Sequence, residues 1–406
     1  MFANGDVLIQ KFGGSSMGSV ERIKRVAERI AEKARRGLRL VVVVSAMGDT
    51  TDDLISLMNK MTPLPERREL DHIMATGEMV SASLAAAALT DLGIRARSFN
   101  AYNLQLLSEL QGDDYNIVKI GRAAQLAGFL EPGSVAVVAG FQGITQDGDL
   151  TTLGRGGSDL TAVVLARELG QKVCEKYTDE DGIYTADPRV IPDARKVWHL
   201  SYDEMLTLAG FGNGILHPRA ISSARDCQIR IHVRSSFSTA EGSVVGPDGD
   251  DQIAVKSITC DQKFVYVRIH GVDRPDDQFF SELAGLPFKP AVQQFKSFNN
   301  MKGSLRIGFR RSDAFVAIPF CWEQAARMNA EEVDCFANLT TLSLIGCGLI
   351  NNSGLAATFS RTLGDLIPVV EQHESIRLSY AFEKNDVKTA MEALHRAITT
   401  QHGSAA

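Results

Sequence analysis

The chain has 406 residues, 44% hydrophobic and 23% charged, with a formal net charge of −6; that length calls for two or three domains, and mild acidity argues against a broad nucleic-acid footprint. No segment approaches the roughly 20 apolar residues of a membrane span, and the N-terminus lacks a basic n-region and a signal-length apolar core. The six cysteines show no Cys-x-x-Cys pairing, so a cytoplasmic protein with buried, reduced thiols and neither membrane nor nucleic-acid partner is expected.

Val7 to Lys11 reads as a strand running into Gly13-Gly14-Ser15-Ser16, followed by a helix over 20–34 with Val20, Ile23, Val26, Ala27, Ile30 and Ala31 on one face. Leu40 to Val44 is a valine-rich strand of the kind buried in parallel sheets. Such a strand–turn–helix–strand unit puts its turn at the carboxyl edge of the sheet, where α/β proteins bind ligands. There Lys11 can reach a phosphate while the glycines open the backbone; a surface lysine before a turn is the plain alternative. No Walker A loop occurs.

At 45–53, Thr50 and Asp53 have capping-box-like spacing. A helical region over 66–92 is expected to break at Thr76-Gly77-Glu78, because glycine in a helix costs about 1 kcal/mol relative to alanine; close packing, ligand approach or a bare turn would each account for it. Residues 95–100 read as a strand, 101–118 show no firm period, 121–130 read as a helix and 134–140 as a buried strand. The chain then reaches Thr151-Thr-Leu-Gly-Arg-Gly-Gly-Ser-Asp159 and a helix over 160–169 closed by Gly170. Ser158 and Asp159 sit where that helix begins, and helix N-termini favour phosphate. Arg155 adds a planar fork for carboxylate or phosphate. An aspartate amid this positive equipment points to organising a metal or a cation, with a capped glycine-rich turn as the plain alternative.

Val173 to Thr178 is a strand ending in Thr178-Asp-Glu-Asp-Gly-Ile-Tyr-Thr-Ala-Asp-Pro-Arg189. An EF-hand reading fails, since the terminal Glu is missing and Pro188 intervenes. A nucleotide-edge loop fits better, with Tyr184 stacking on a base and Arg189 meeting phosphate. Helices at 202–208 and 218–226 and a strand at 229–233 precede a Gly-Pro-Asp-Gly-Asp-Asp linker at 246–251. Beyond it, strands at 264–269, 305–309, 341–345 and 376–382 and helices at 355–366 and 386–399 point to a tandem pair of small α+β modules suited to binding or regulation.

The runs Lys11-Phe-Gly-Gly-Ser-Ser, Ser45-Ala-Met-Gly-Asp-Thr-Thr-Asp, Thr76-Gly-Glu, Gly140-Phe-Gln-Gly, Leu153-Gly-Arg-Gly-Gly-Ser-Asp, Tyr177-Thr-Asp-Glu-Asp-Gly-Ile-Tyr-Thr-Ala-Asp-Pro-Arg and Leu216-His-Pro-Arg-Ala together resemble the aspartate kinases of the amino acid kinase fold. The resemblance implies an α/β, amino acid kinase-like three-layer sandwich with a largely parallel central sheet over 1–245. It also implies C-terminal α+β, ferredoxin-like modules of the ACT type at 252–338 and 339–406. The implied activity is an ATP-dependent phosphotransferase using ATP and Mg²⁺ to phosphorylate the side-chain carboxylate of L-aspartate. The product, β-aspartyl phosphate, begins lysine, threonine and methionine biosynthesis. A homodimer through the C-terminal domain is implied as well.

On the matching positions the resemblance makes Lys11 and Asp159 catalytic. Lys11 would stabilise the transferred phosphoryl group with Gly13, Gly14 and Ser15, while Asp159 would position cationic groups and help place the metal. Arg155 would pair with a substrate carboxylate and Glu78 with its ammonium, with Ser45, Thr51, Gly156, Gly157 and Ser158 completing the substrate site. Phe12, Thr178, Asp179, Tyr184, Asp187 and Arg189 would frame the nucleotide beside Lys11. No residue is assigned as a metal ligand.

Departures stand out. Gly214 occupies the place, two residues before Leu-His-Pro, where the family usually has a lysine contacting ATP phosphates. Glu371-Gln-His-Glu-Ser-Ile replaces a serine/threonine-rich effector strand, Asn351-Asn-Ser-Gly only loosely echoes the family's helix opening, and 104–116 lacks the usual Gln-Ala-Gly-Ile run. Asp273-Arg-Pro-Asp-Asp277 puts three acids where an effector's carboxylate would approach, so altered or absent feedback is expected. A sister kinase for another small amino-acid carboxylate and a catalytically weak regulatory subunit are the alternatives; the retained Lys11, Glu78, Arg155 and Asp159 speak against the second.

Overall fold

Valine-rich segments become the middle of an eight-stranded sheet. In the computed structural model, which describes residues 2–3, 6–247, 254–288, 290, 292–298, 302–349 and 352–403, the first fourteen strands run in chain order. They are β1 (Val7–Phe12), β2 (Arg39–Val44), β3 (Ala96–Phe99), β4 (Leu106–Gln111), β5 (Asp114–Ile120), β6 (Val135–Ala139), β7 (Gln142–Ile144), β8 (Leu150–Thr152), β9 (Val173–Thr178), β10 (Ile183–Tyr184), β11 (Lys196–Val197), β12 (His199–Ser201), β13 (Arg230–Ser235) and β14 (Ser243–Gly246). The helices among them are α1 (Val20–Arg35), α2 (Thr50–Met61), α3 (Arg67–Asp91), α4 (Ala101–Leu104), α5 (Ala123–Phe129), α6 (Gly157–Glu168), α7 (Tyr202–Gly210) and α8 (Pro218–Asp226).

The large sheet has the order β12-β14-β13-β9-β1-β2-β6-β3, and every ladder in it is parallel except β13–β14. Side chains alternate across it. Leu40, Val42 and Val44 of β2 and Val135, Val137 and Ala139 of β6 face α1 and α3 in one core, where Phe12 and Tyr177 also lie. The intervening residues face α6, which packs on β1, β2 and β9. Helices on both faces make the three layers that parallel strands demand.

By contact, the chain divides into Met1–Tyr184 with Lys196–Asp250, and Thr185–Arg195 with Asp251–Ala406. The second unit contains β15 (Ser257–Asp261), β16 (Phe264–Val272), α9 (Asp277–Ala284), β17 (Val292–Phe298), β18 (Lys302–Arg310), α10 (Ala314–Arg327), β19 (Glu332–Phe336), β20 (Thr340–Ile345), α11 (Ser353–Thr362), β21 (Val370–His373), β22 (Arg377–Phe382) and α12 (Val387–Gly403). Two four-stranded sheets result, β17-β18-β16-β19 and β15-β20-β22-β21. β15 joins the second sheet by pairing with β20, so the two sheets interleave in sequence instead of following one another across residue 338. The short run 185–195 also belongs here: Ala186 and Ile191 lie in the core under the second sheet, and Thr185 accepts a backbone bond from Ile258.

Several expectations change. α3 runs unbroken through Gly77, whose missing Cβ would lie 2.8 Å from that of Ala46, so close packing explains the glycine. At 25 residues α3 is long and apolar enough to cross a membrane by length and composition alone, contrary to the sequence reading; half of its apolar stretch is buried in the protein. Thr50 forms no capping box; its hydroxyl donates to the Met47 carbonyl at 2.6 Å. The unassigned segment 101–118 holds the short α4 and most of the β4–β5 hairpin. None of the six cysteines is in a disulfide, but only Cys174 and Cys321 are buried. Most of the expected linker, and Asn351, fall outside the described residues.

Candidate active site

The site begins with a register. Lys11 of β1 and Lys176 of β9 are direct partners in the parallel ladder, so alternation sends both side chains to the α6 face, near the carboxyl ends of their strands. Both are buried. Asp159, the third residue of α6, stands between them, with Oδ1 2.7 Å from Lys11 Nζ and Oδ2 2.5 Å from Lys176 Nζ. Lys176 also donates to the carbonyl of Ile215 at 2.5 Å. Burial alone would raise the Asp159 carboxyl, but the two ammonium groups override it and bring it down to about 2. Burial lowers Lys176 against the pull of Asp159. A small apolar-walled cavity formed by Ala162, Val163, Cys174, Leu216 and Ile231 adjoins this triad.

A second buried acid lies close by. Glu78 projects from α3 and accepts the Ala46 N–H on Oε1 at 3.1 Å. Its Oε2 has no hydrogen-bond partner. Burial pushes this carboxyl up to about 7, with the Ala46 N–H and Lys11 pulling the other way. An orphaned carboxylate oxygen in a dry site is costly without a cation, so Glu78 is poised to receive one.

The loops around these groups are stitched to each other. Gly13 donates to the Tyr177 carbonyl at 3.2 Å, Ser45 to that of Phe12 at 3.1 Å, and Gly48 to that of Gly14 at 3.1 Å. At the other rim, Gly156 has φ 76°, and a Cβ there would lie 2.3 Å from that of His217. Glycine is thus required twice over. Arg219 ties this loop to the β4–β5 hairpin: it donates to the Leu153 and Tyr115 carbonyls and to Asn116 Oδ1, and pairs with Asp114 at 3.1 Å.

Residues 6–235 match the family model described as the amino acid kinase family. The chain is 35% identical over 408 residues to the aspartokinase of Geobacillus stearothermophilus, covering 98% of this chain and 99% of that protein. Aspartokinase 2 of Bacillus subtilis (strain 168) is 36% identical over 408 residues, again covering 98% and 99%. The chain belongs to the aspartokinases of the amino acid kinase family. Among solved structures, the aspartate kinase from Synechocystis aligns at 32% identity and TM-score 0.54, covering 97% of this chain and 69% of that one. The fold is also that of E. coli aspartokinase III in complex with aspartate and ADP (R-state), at 21% identity and TM-score 0.77 over 96% of this chain and 99% of that one.

Against this aspartokinase frame, the structure brings Lys11, Glu78 and Asp159 together, with the glycine turn of Gly13 and Gly14 and the α6 N-terminus of Gly157 and Ser158. Gly140 admits the latter, since a Cβ there would lie 2.7 Å from that of Ser158. Ser45 and Thr51 are half-buried at the end of β2 and in the first turn of α2. Arg155 is exposed, and its side chain makes no bond with a described residue. Phe12 is fully buried and stacks on Tyr177 at 4.6 Å, which leaves only its backbone for a nucleotide. Thr178 donates to Asp179 at 2.9 Å; burial opposes ionisation of Asp179, but bonds from Thr178 and Ser15 hold it low. Tyr184 donates to Asp181 at 2.6 Å, and Lys196 pairs with the same acid at 3.1 Å. Asp187 and Arg189 form their own fork at 2.9 Å within the second unit.

Sequence reasoning missed Lys176 and Arg219. Lys176 hides in a short strand run, and its signal was the strand period: a lysine one residue from Tyr177, on a face that the buried Cys174 shares. Arg219 lies in the Leu216-His-Pro-Arg-Ala run that carries the resemblance, but its role stayed hidden because its partners lie in a hairpin without hydrophobic period.

Proposed function

We propose that this chain is an aspartate kinase, transferring the γ-phosphoryl group of ATP to the side-chain carboxylate of L-aspartate to give β-aspartyl phosphate for lysine, threonine and methionine biosynthesis in the cytoplasm. The observation that carries the reading is the buried Lys11–Asp159–Lys176 set beside Glu78. It offers an anion site next to an orphaned carboxylate, which matches a phosphate meeting an amino-acid zwitterion. Near-full-length relatives named aspartokinase support it.

Phosphoryl transfer needs alignment and charge neutralisation more than covalent help. Lys11, oriented by Asp159, meets the moving phosphoryl group with the backbone N–H groups of the Gly13–Gly14 turn and the Ser15 hydroxyl. Glu78 Oε2 takes the substrate ammonium and loses its proton as it does so. Arg155 closes on a substrate carboxylate, and Ser45, Thr51 and Ser158 donate the remaining bonds. Phe12 backbone, Thr178, Asp179 and Tyr184 frame the nucleotide, with Asp187 and Arg189 assigned to the same edge. Both oxygens of Asp159 face ammonium groups, which supports its role in organising cations. Among the described residues no three His, Cys, Asp or Glu side chains converge on a metal position. Mg²⁺ would therefore be held chiefly by the nucleotide's own phosphates, with few protein ligands, and would neutralise part of their charge.

Within the second unit we place one ACT-type module at 264–336 and the other at 257–261 with 340–403, and expect a homodimer through this unit. MgATP and L-aspartate with hydroxylamine should yield aspartyl hydroxamate. No product above a Lys11→Ala control would overturn the assignment, and product with another amino acid alone would replace aspartate as the acceptor.

A further inference from the structure

We propose that Lys176 is a second phosphate-contacting lysine of this site, supplying from β9 the cation that position 214 lacks. The proposal rests on the nucleotide-binding half of the kinase reading and assigns a residue that the motifs pass over.

Asp159 needs one cation, and Lys11 already provides it at 2.7 Å. A second buried ammonium adds desolvation cost with no second anion to repay it. The groups facing Lys176 do not provide one. Cys174, in the same cavity, is pushed up by burial and stays a thiol. Glu175 and Tyr177 lie on the opposite face of β9, where Glu175 is held by Lys33 and Arg234. Glu78, the other buried acid influenced by Lys11, is shifted towards its neutral form. One buried carboxylate thus faces two lysine side chains at the carboxyl edge of parallel strands. A dianionic phosphate group is the ligand that such a set fits.

Position then makes the assignment specific. The Lys176 ammonium donates to the Ile215 carbonyl, one residue from Gly214, in a turn fixed by the Asn213 side chain accepting the Ile215 N–H at 3.0 Å. Nothing lies within 4 Å of where a Cβ at 214 would be. The turn therefore has an ammonium beside it, arriving from the neighbouring strand, and unfilled space at the glycine. Lys11 and Lys176, as direct ladder partners, present a matched pair of charges that one α6 carboxylate holds in place.

Calorimetric ADP binding, which needs no acceptor, tests the idea alongside steady-state kinetics. Lys176→Met should weaken ADP binding and lower kcat/KM for ATP by about ten- to hundred-fold, the range of one lost charge-assisted bond. KM for aspartate should stay within about twofold of wild type. Adding Gly214→Lys to Lys176→Met should restore most of the loss, which a merely structural lysine would not allow. ADP affinity of Lys176→Met within twofold of wild type would overturn the proposal, as would parallel losses for ADP and aspartate without rescue. Should Lys176→Met not fold, the double variant alone decides, with affinity near wild type supporting the proposal and a tenfold or greater loss overturning it. Absence of aspartyl phosphate with intact ADP binding would sink the aspartate assignment and leave this one standing.

Discussion

The two faces of β9 carry the same charges in different surroundings. On the α1 face, Glu175 is paired with Lys33 at 2.8 Å and Arg234 at 3.1 Å, and those cations remain 21% and 23% exposed. On the α6 face, Asp159 is paired with Lys11 and Lys176, whose side chains are only 9% and 11% exposed. Both carboxyls are brought down to about 2. Yet water can carry the surplus charge on one face and cannot on the other. A cluster of ionised groups thus marks a ligand site when its imbalance is sealed from solvent, and a structural strut when it is not.

The largest effect that could break this contrast is on stability. Asp159→Asn leaves two buried ammonium groups unpaired and should cost about 3–5 kcal/mol, whereas Glu175→Gln, with its cations near water, should cost about 1–3 kcal/mol. Thermal unfolding of the two variants measures the gap, and equal losses would dissolve the distinction. The pH dependence has a definite sign. Each carboxyl is lower in the folded state, so its contribution is present above the unfolded value near 4 and disappears as pH falls through about 2. Asp159→Asn should flatten the acid limb.

Next in size is catalysis. Lys11→Met should lower kcat by about 10²–10³-fold, since its charge is needed most where charge moves. Lys33→Met, on the other face, should leave kcat within about threefold while lowering the melting temperature. A comparable kcat loss in both would show that the two clusters act as one.

Glu78 sharpens the picture from the acid side. Its folded value, about 7, lies above the unfolded one, so the ligand-free protein should lose stability as pH rises between about 4.5 and 7, and Glu78→Gln should abolish that slope. Aspartate binding at pH 7 should release protons, seen as a buffer-dependent calorimetric heat that Glu78→Gln lacks. The smallest effect expected is regulatory. Asp276 caps α9 by accepting the Phe279 N–H at 2.8 Å, and Asp273 and Asp277 lie beside it, so millimolar lysine or threonine should inhibit weakly or not at all. Titrating activity with each amino acid, alone and combined, checks this; strong sub-millimolar inhibition would mean that these acids do not repel.

Much of the first unit was legible because its chemistry sits at strand ends and helix starts, where glycines and acids punctuate a buried run. Lys11, Asp159 and the β1–α1–β2 path follow from that punctuation. Lys176 did not, because a single lysine inside a strand acquires meaning only through its ladder partner, a long-range fact. The β4–β5 hairpin was invisible for a related reason: Leu106 and Ser108 are buried, but Glu109 to Gln111 run exposed, which erases the period of two. In the second unit the strands of the sequence reading were found, whereas β17 and β19, in which no side chain of described burial is fully buried, and the pairing of β15 with β20 were not.

The excursion at 185–195 bears on how this gene can be cut. The chain passes between the two units three times, at 184/185, 195/196 and 250/251, so no single truncation yields the kinase half whole. A fragment ending at 245 would carry Ala186 and Ile191 as an orphaned apolar tongue, stripped of the α12 and β22 residues that shelter it. Thr185 would likewise lose its bond with His395 at 2.9 Å. Excising the tongue with a short bridge from Tyr184 to Lys196, which already pair across β10 and β11, is the cut that respects the fold.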